Sequence, residues 1–259
     1  MSIVLRDLQA RWPDPKRVNR ALFGAYYEED IYDRFCSAVP AVMRGFWWRM
    51  PAAMALRNLI FVHVPRVAGT SIARTLYGDG CTKHHSIRYY RAIHPQLYER
   101  AQSFALLRDP FDRFMSAFAF VRSGGTPTCR LSDAFAAQTA SISTVDDYLS
   151  FLDGRASLDL DFVMRPQSWF VCDLKTGAPL VKDLFLYGED SAALASYLRP
   201  HGAGELPWLN RSARMPVLLN ARQRRRIENL YADDFTLIES VRAVRRARDA
   251  LRIAAIAAE

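Results

Sequence analysis

Cysteine is scarce in this chain, and its spacing argues against the commonest zinc sites. The four cysteines, Cys36, Cys81, Cys129 and Cys172, lie far apart and form no C-x-x-C pair. A zinc site is therefore not expected, and no metal site is predicted. The simplest interpretation is a reduced intracellular setting, although two disulfides stay open as an alternative.

Long apolar runs are also missing. The first residues, Met1–Asp7, contain no long apolar segment and do not resemble a secretory signal. The most apolar early stretch, Ala38–Val64, is interrupted by Arg44, Arg49, Pro51 and Arg57, so it does not suit a transmembrane helix. We expect a cytoplasmic protein without a transmembrane segment, with peripheral contact to a membrane left open.

Lysine is rare, so arginine supplies nearly all of the positive charge. The only lysines are Lys16, Lys83, Lys175 and Lys182, and the formal net charge at pH 7 is +8. A basic chain favours anionic partners, and the guanidinium fork suits phosphate and sulfate oxygens. The same bias is also explained by genomic base composition alone, so both interpretations stand at this point.

In place of these features the chain alternates strand patterns with helix patterns. Such alternation predicts an α/β fold with a central parallel sheet flanked by helices. The predicted strands are Leu59–Val64, Ser103–Arg108 and Leu184–Gly188. The predicted helices include Ile87–Ile93, Phe111–Val121, Ala221–Tyr231 and Asp234–Ala257, and Thr144–Asp147 resembles a capping box before a further helix.

The sequence predicts two regions without an internal repeat or a low-complexity linker. Residues 1–57 form a helical and irregular segment, and residues 58–259 form the main domain. The aromatic cluster Phe46-Trp47-Trp48 in the first region is expected to pack onto the second. Half of the residues are hydrophobic, which is enough for a substantial core.

A small-residue turn after the first strand predicts an anion-binding site. Arg66, Ala68 and Gly69 lie in this turn, and Thr70-Ser71 open the helix that follows. Free backbone N–H groups and the positive end of the helix dipole converge at such a turn. Arg66 adds a permanent charge, and the two hydroxyls add donors. We expect this segment to hold a phosphate or sulfate group.

A second anion site is predicted after the second strand. Arg108 stands at the strand edge, Asp109-Pro110 starts a helix, and Arg113 and Ser116 follow on that helix. Ligands bind beyond the carboxyl ends of parallel strands, so both sites should share one edge of the sheet. Two such sites favour a nucleotide with anionic groups at both ends.

Both segments resemble the donor-binding motifs of one enzyme family. Phe61–Ser71 resembles the 5′-phosphosulfate loop of sulfotransferases that use 3′-phosphoadenosine 5′-phosphosulfate (PAPS). Arg108–Phe118 resembles their 3′-phosphate motif. The chain is most similar to the carbohydrate sulfotransferase branch, family 2-like and of bacterial type. The similarity continues at Arg165–Phe170, Leu206–Ser212 and Tyr231–Phe235.

This resemblance implies a P-loop-like sulfotransferase fold and a reaction. The expected enzyme transfers a sulfuryl group from PAPS to a hydroxyl of a carbohydrate or glycan acceptor. It releases adenosine 3′,5′-bisphosphate (PAP) and needs no metal ion. The residues implied to bind PAPS are Arg66, Ala68, Gly69, Thr70, Ser71, Arg108, Arg113, Ser116, Asn210 and Ser212. Arg113 has the alternative of pairing only with Asp109 or Asp112.

One residue departs from the family pattern. The family usually has lysine where this chain has Arg66, and that lysine contacts the leaving phosphate. Arginine keeps the charge but does not readily give up a proton. Electrostatic stabilisation by Arg66 should survive, whereas general-acid assistance to the leaving group is in doubt.

The acceptor hydroxyl needs a base, and histidines lie between the two anion motifs. A neutral imidazole titrates near neutral pH and suits proton removal. The branch that the chain resembles has a His-x-Ser/Thr segment in this region. By that spacing His84 matches best and His85 second, with Glu189 after the third strand as the alternative. His63, on the buried strand, is expected to be structural.

Two other functions stay open from the sequence. A P-loop kinase or NTPase is disfavoured because the motif Gly-x-x-x-x-Gly-Lys-[Ser/Thr] is incomplete here. A non-catalytic nucleotide or polyanion binder of the same fold is the other. The arginine-rich helices 221–231 and 234–257 are expected to be packed helices with solvated faces, and no nucleic-acid partner is predicted. The sequence does not indicate the oligomeric state or the acceptor.

Overall fold

Three parallel strands lie at the centre of the computed structural model, which describes residues 15–35, 40, 50–78, 83–126, 129–203 and 218–256. The strand order is β1-β2-β5, so β2 occupies the middle of the sheet. A short antiparallel hairpin, β3-β4, stands apart from it. The strands are β1 (Leu59–Val62), β2 (Gln102–Leu107), β3 (Gly125–Thr126), β4 (Cys129–Arg130) and β5 (Asp183–Leu186).

Helices flank this sheet and connect its strands, as the sequence predicted for an α/β domain. They are α1 (Pro15–Phe23), α2 (Glu28–Phe35), α3 (Ala52–Arg57), α4 (Gly69–Tyr77), α5 (Ile87–Ile93), α6 (Pro95–Arg100), α7 (Pro110–Arg122), α8 (Asp133–Thr139), α9 (Val145–Leu152), α10 (Ser168–Val171), α11 (Ser191–Leu198), α12 (Ala221–Leu230) and α13 (Ala232–Ile256). Two 3₁₀ turns, Ser157–Asp159 and Arg199–His201, complete the described elements.

The sheet register places the carboxyl ends of β1 and β2 side by side. Leu59 pairs with Gln102 at one end of β1, and Val62 pairs with Ala105 at the other. All four residues of β1 are buried, and so is β2 from Ser103 onward. Both strands are covered on their two faces, which explains their continuous apolar runs.

Most predicted boundaries agree with the structure, and α5 has the predicted bounds. The first strand ends at Val62 and not at Val64, because the Val64 N–H donates back to the Val62 carbonyl (3.1 Å) and the chain turns. The third strand is Asp183–Leu186 rather than Leu184–Gly188, since Gly188 has a left-handed φ of 86°. The capping box at Thr144 and Asp147 is confirmed.

Helix α2 contacts the main sheet domain through buried polar pairs. Asp30 accepts two hydrogen bonds from Arg165 (2.6 and 2.7 Å), and both side chains are almost fully buried. Asp33 accepts hydrogen bonds from Ser86 (2.9 Å) and from Arg88 (2.8 Å). The described part of residues 1–57 therefore lies against the segment that carries the two predicted catalytic histidines. The cluster Phe46-Trp47-Trp48 lies outside the described residues.

Candidate functional site

The turn between β1 and α4 has an unusual backbone. Arg66 and Ala68 both adopt left-handed conformations, with φ of 68° and 65°. A non-glycine residue in this region costs about 1 kcal/mol or more, so two together indicate a functional constraint. Ala68 is the N-cap of α4. The N–H groups of Gly69 and Thr70 have no backbone acceptor within the described residues, as expected for a first helical turn that faces an anion.

Three guanidinium groups meet beside this turn and form the arginine cluster, namely those of Arg66 in the turn, Arg108 after β2 and Arg113 in α7. The Arg66 Nε donates to the Ser116 hydroxyl (3.1 Å), and its guanidinium lies over the Phe120 ring (4.9 Å). Burial, together with the nearby charges of Arg108 and Arg113, lowers the pKa of Arg66. The site is therefore an accumulation of positive charge at the shared edge of β1 and β2.

Arg108 is held in place by its backbone and by its side chain. Its backbone N–H donates to the side-chain Oε1 of Gln167, and its backbone carbonyl accepts from the side-chain Nε2 of Gln167, both at 2.8 Å. Gln167 is fixed in turn by Asp234, whose carboxylate accepts from the N–H groups of Gln167 and Ser168, also at 2.8 Å. The Arg108 guanidinium stacks over Tyr187 (5.3 Å) and reaches the Arg66 carbonyl (3.5 Å).

Arg113 is buried inside the same cluster. Its Nε donates to the Pro65 carbonyl (3.2 Å), which connects α7 to the turn after β1. Among the described residues it forms no ion pair with Asp109 or Asp112; Asp112 lies 3.7 Å from Arg108 instead. The Arg113 side chain therefore supports the turn and adds charge beneath it.

Two buried nitrogens of this cluster are left without partners. Within the described part of the chain, neither Arg108 Nε nor Arg113 Nη2 has a hydrogen-bond acceptor. Buried donors are normally paired, so an oxygen-rich anion fits a site that leaves two guanidinium donors unsatisfied. The donor set, three arginines with Ser116 and the first turn of α4, suits a molecule carrying more than one phosphate or sulfate group.

His84 lies within electrostatic reach of Arg113 of the arginine cluster, and one of its ring nitrogens is hydrogen-bonded. Its Nδ1 is 2.9 Å from the His63 carbonyl, and its ring is 4.3 Å from the His63 ring. A carbonyl only accepts, so Nδ1 carries the proton and Nε2 of the neutral ring keeps the lone pair. Burial lowers the pKa of His84, which keeps the ring neutral near pH 7. Nε2 is therefore in the correct form for a general base.

His85 has different surroundings. Its ring stacks on Tyr89 at 3.9 Å with an interplanar angle of 10°, and it is buried. Burial, with lesser contributions from Lys83 and His84, lowers the pKa of His85 to about 3. The aromatic stack gives His85 a packing role.

The other predicted residues divide into three groups. Ser71 is buried and Thr70 is half-buried in α4, at the end that faces the cluster. Glu189 is exposed and pairs with Arg242 of α13 (2.6 Å), which lowers the pKa of Glu189 and weakens it as a base. Asn210 and Ser212 lie outside the described residues.

The sequence did not indicate three residues that support the site, namely Gln167, Asp234 and Asp161. Gln167 and Asp234 stand in segments quoted for their family similarity, and that similarity was the signal that could have found them. Asp161 lies within electrostatic reach of His84 and had no motif around it.

The structure is an α/β domain that gathers three arginines at the carboxyl edge of two parallel strands, and the chemistry of this cluster suits a multiply charged anion. A family model described as "Sulfotransferase family" matches residues 56–238, which is well over half of the chain. The chain belongs to this family, and sulfuryl transfer in general follows from that membership. No curated protein and no solved structure matches the chain significantly.

Two features are absent from the described residues. No described helix is both long enough and apolar enough to cross a bilayer. In the same residues, no group of three or more histidine, cysteine, aspartate or glutamate side chains is arranged to hold a metal ion.

Proposed function

We propose that this protein transfers the sulfuryl group of PAPS to a hydroxyl of a carbohydrate or glycan acceptor, with His84 as the general base. Family membership supports sulfuryl transfer, and the donor, acceptor class and residue roles are our proposal. The observation that carries it is the arginine cluster, with its unsatisfied donors on Arg108 and Arg113, directly beside a histidine whose Nε2 is unprotonated.

The arginine cluster and the turn would hold the donor. Arg66, Thr70, Ser71 and the first N–H groups of α4 would bind the 5′-phosphosulfate. Arg108 and Ser116 would bind the 3′-phosphate, with Arg113 beneath both. Bound PAPS supplies an activated sulfuryl group on a leaving phosphate. Fixed positive groups at such a site stabilise developing negative charge without reorganising.

His84 would take the proton of the acceptor hydroxyl at Nε2. The hydrogen bond from Nδ1 to the His63 carbonyl fixes both the ring orientation and the tautomer. A base that holds the proton at a fixed atom contributes typically about 100-fold or more to such a reaction. Glu189 serves this role less well, because its carboxylate is paired with Arg242.

Arg66 changes how the leaving phosphate is assisted. Its guanidinium is permanently charged and does not donate a proton at neutral pH. Arg66 would therefore stabilise the leaving group by charge and hydrogen bonding alone, and Ser116 and Phe120 hold it for that purpose. The acceptor is expected to be a saccharide, and the net charge of +8 suits an acidic one.

The test is a transfer assay with sulfur-labelled PAPS and a panel of glycans, in the absence of metal. We expect label on a glycan, release of PAP, and thermal stabilisation of the protein by PAP but not by ATP. Stabilisation by PAP without transfer to any hydroxyl would indicate a non-catalytic binder. Absence of both signals would overturn the proposal.

Two variants separate binding from turnover. Arg108→Ala should abolish the stabilisation by PAP, whereas Arg100→Ala should not, because Arg100 is exposed and precedes the opposite end of β2. His84→Ala should bind PAP normally and lose turnover, while His201→Ala keeps both, because His201 contacts Gln102 at the opposite end of β2. Full activity in His84→Ala would show that the base is assigned incorrectly.

A further inference from the structure

We propose that Tyr27 and Asp161 form a buried pair that positions and stabilises His84, so that a residue outside the family-matched range 56–238 takes part in the transfer site. The inference rests on the proposed function for its catalytic consequence. Its first measurement, however, needs neither donor nor acceptor.

The pair is built by the docking of α2. The Asp30–Arg165 ion pair and the Asp33 contacts with Ser86 and Arg88 fix this helix against the main domain. Tyr27 directly precedes the helix, and its ring stacks on Phe162 at 3.9 Å. The Tyr27 hydroxyl donates to Asp161 Oδ2. Tyr27 thus brings a hydroxyl from the N-terminal segment to a carboxylate of the main domain.

Asp161 is buried with both oxygens oriented by hydrogen bonds. Tyr27 occupies Oδ2, and the Val163 N–H donates to Oδ1 at 3.0 Å. Burying a carboxylate is costly, so its retention beside a functional residue calls for a reason. The adjacent Phe162 ring lies 5.6 Å from the His84 ring, so the segment that carries the carboxylate packs against the proposed base.

The charges around His84 give Asp161 its role. Arg113 and Arg165 are also within electrostatic reach of His84, and both disfavour the imidazolium; the His63 carbonyl and Asp161 favour it. His84 in turn lowers the pKa of its neighbour His85. Asp161 is the one carboxylate among these groups. When Nε2 takes up a proton, the negative charge of Asp161 therefore stabilises the imidazolium against the repulsion from the two arginines. Asp161 and Tyr27 are positioning residues in this scheme.

The experiment is a proton and nitrogen NMR titration of the five histidines in the full chain. His84→Ala assigns the His84 signals. Asp161→Asn should move the His84 midpoint to lower pH by about one unit, because the favourable charge is lost. Tyr27→Phe keeps the stacking on Phe162 and removes the hydroxyl, and its shift should go the same way but be smaller.

Two control variants test whether the effect is local. Asp159→Asn alters an acid in the same segment that pairs with Arg20. Tyr26→Phe removes a hydroxyl for which the described residues offer no hydrogen bond, while its ring still packs on Phe135. Both should titrate like the wild type. A wild-type His84 titration in Asp161→Asn overturns the proposal, and a wild-type titration in Tyr27→Phe alone overturns the role of Tyr27.

Turnover is measured separately. If transfer is established, Asp161→Asn should lower kcat about tenfold, the equivalent of one pH unit, and leave the KM for PAPS unchanged. A lower kcat with unchanged His84 titration would assign Asp161 a purely structural role and contradict the proposal. A shifted titration in a protein that transfers nothing would keep the Tyr27–Asp161–His84 arrangement and refute the proposed function.

Discussion

Replacing Gly69 by alanine would drive a methyl group into the His63 imidazole. A Cβ at Gly69 would lie 2.1 Å from His63 Cδ2 and 2.5 Å from Nε2, far inside van der Waals contact. His63 has little room to withdraw, because its ring packs between Phe61 (5.8 Å) and His84 (4.3 Å). The substitution therefore tests the close packing beneath the anion-binding turn.

The size of the effect follows from overpacking. Overpacking of a buried site costs about 1–3 kcal/mol. Gly69 is the first residue of α4, so the advantage that alanine has over glycine in the middle of a helix does not offset this cost. We expect Gly69→Ala to lower the free energy of unfolding by about 1–3 kcal/mol. Binding of PAP should weaken as well, since the first turn of α4 is displaced.

The assay is urea denaturation of a double-mutant cycle in which His63→Ala removes the obstructing ring. In the His63→Ala background the added methyl should be accommodated, and Gly69→Ala should then be neutral or stabilising. This non-additivity isolates the contact between the two residues. If Gly69→Ala in the wild-type background is as stable as the parent, the packing argument is refuted.

Two further predictions concern stability. The free energy of unfolding should fall as the pH drops below about 6.5, by up to about 1.4 kcal/mol per pH unit for one histidine. The cause is that the unfolded chain protonates His85 in this range, whereas burial in the folded protein lowers the pKa of His85 to about 3 and keeps it neutral. His85→Phe, which keeps the stack on Tyr89, should flatten this loss in urea midpoints measured from pH 7 to 4, and an unchanged slope would contradict the assignment to His85. Asp30→Asn should lower the free energy of unfolding by about 3–5 kcal/mol, because it leaves the buried Arg165 guanidinium without its charged partner. Asp153→Asn, which removes the exposed partner of Arg226, should lower the free energy of unfolding by less than about 1 kcal/mol in the same urea series. Equal losses in Asp30→Asn and Asp153→Asn would contradict the argument that burial makes the Asp30–Arg165 pair more important.

The sequence predicted those parts of the fold that depend on local patterns. The apolar runs of β1 and β2, the extent of α5 and the Thr144 capping box are all local features. The end of β1 was placed too late because burial continues through Val64 after the chain has turned. Periodicity reports burial, and it does not separate a buried strand from a buried turn.

The residues of the arginine cluster were also predictable from local motifs, whereas the residues that support them were not. Arg66, Arg108 and Ser116 follow strands that are recognisable in the sequence. Tyr27 and Asp161 are separated by 134 residues, and Arg165 and Asp30 by 135. Pairings at such separations depend on how helices dock, and nothing in a local pattern specifies that docking.

The arginine cluster gives the free protein an electrostatic conflict that an anion resolves. Arg66 has two like charges beside it, and these charges lower its pKa together with burial. Of the carboxylates in the described residues, only Asp112 pairs with a member of the cluster, and it is exposed and 3.7 Å from Arg108. Asp234 is buried within electrostatic reach of Arg113, but its two carboxylate oxygens accept hydrogen bonds from the N–H groups of Gln167 and Ser168. Under the proposed function, the bound anion would compensate for the like charges and for the left-handed backbone at Arg66 and Ala68. The expected thermal stabilisation by PAP would be the sign of that compensation.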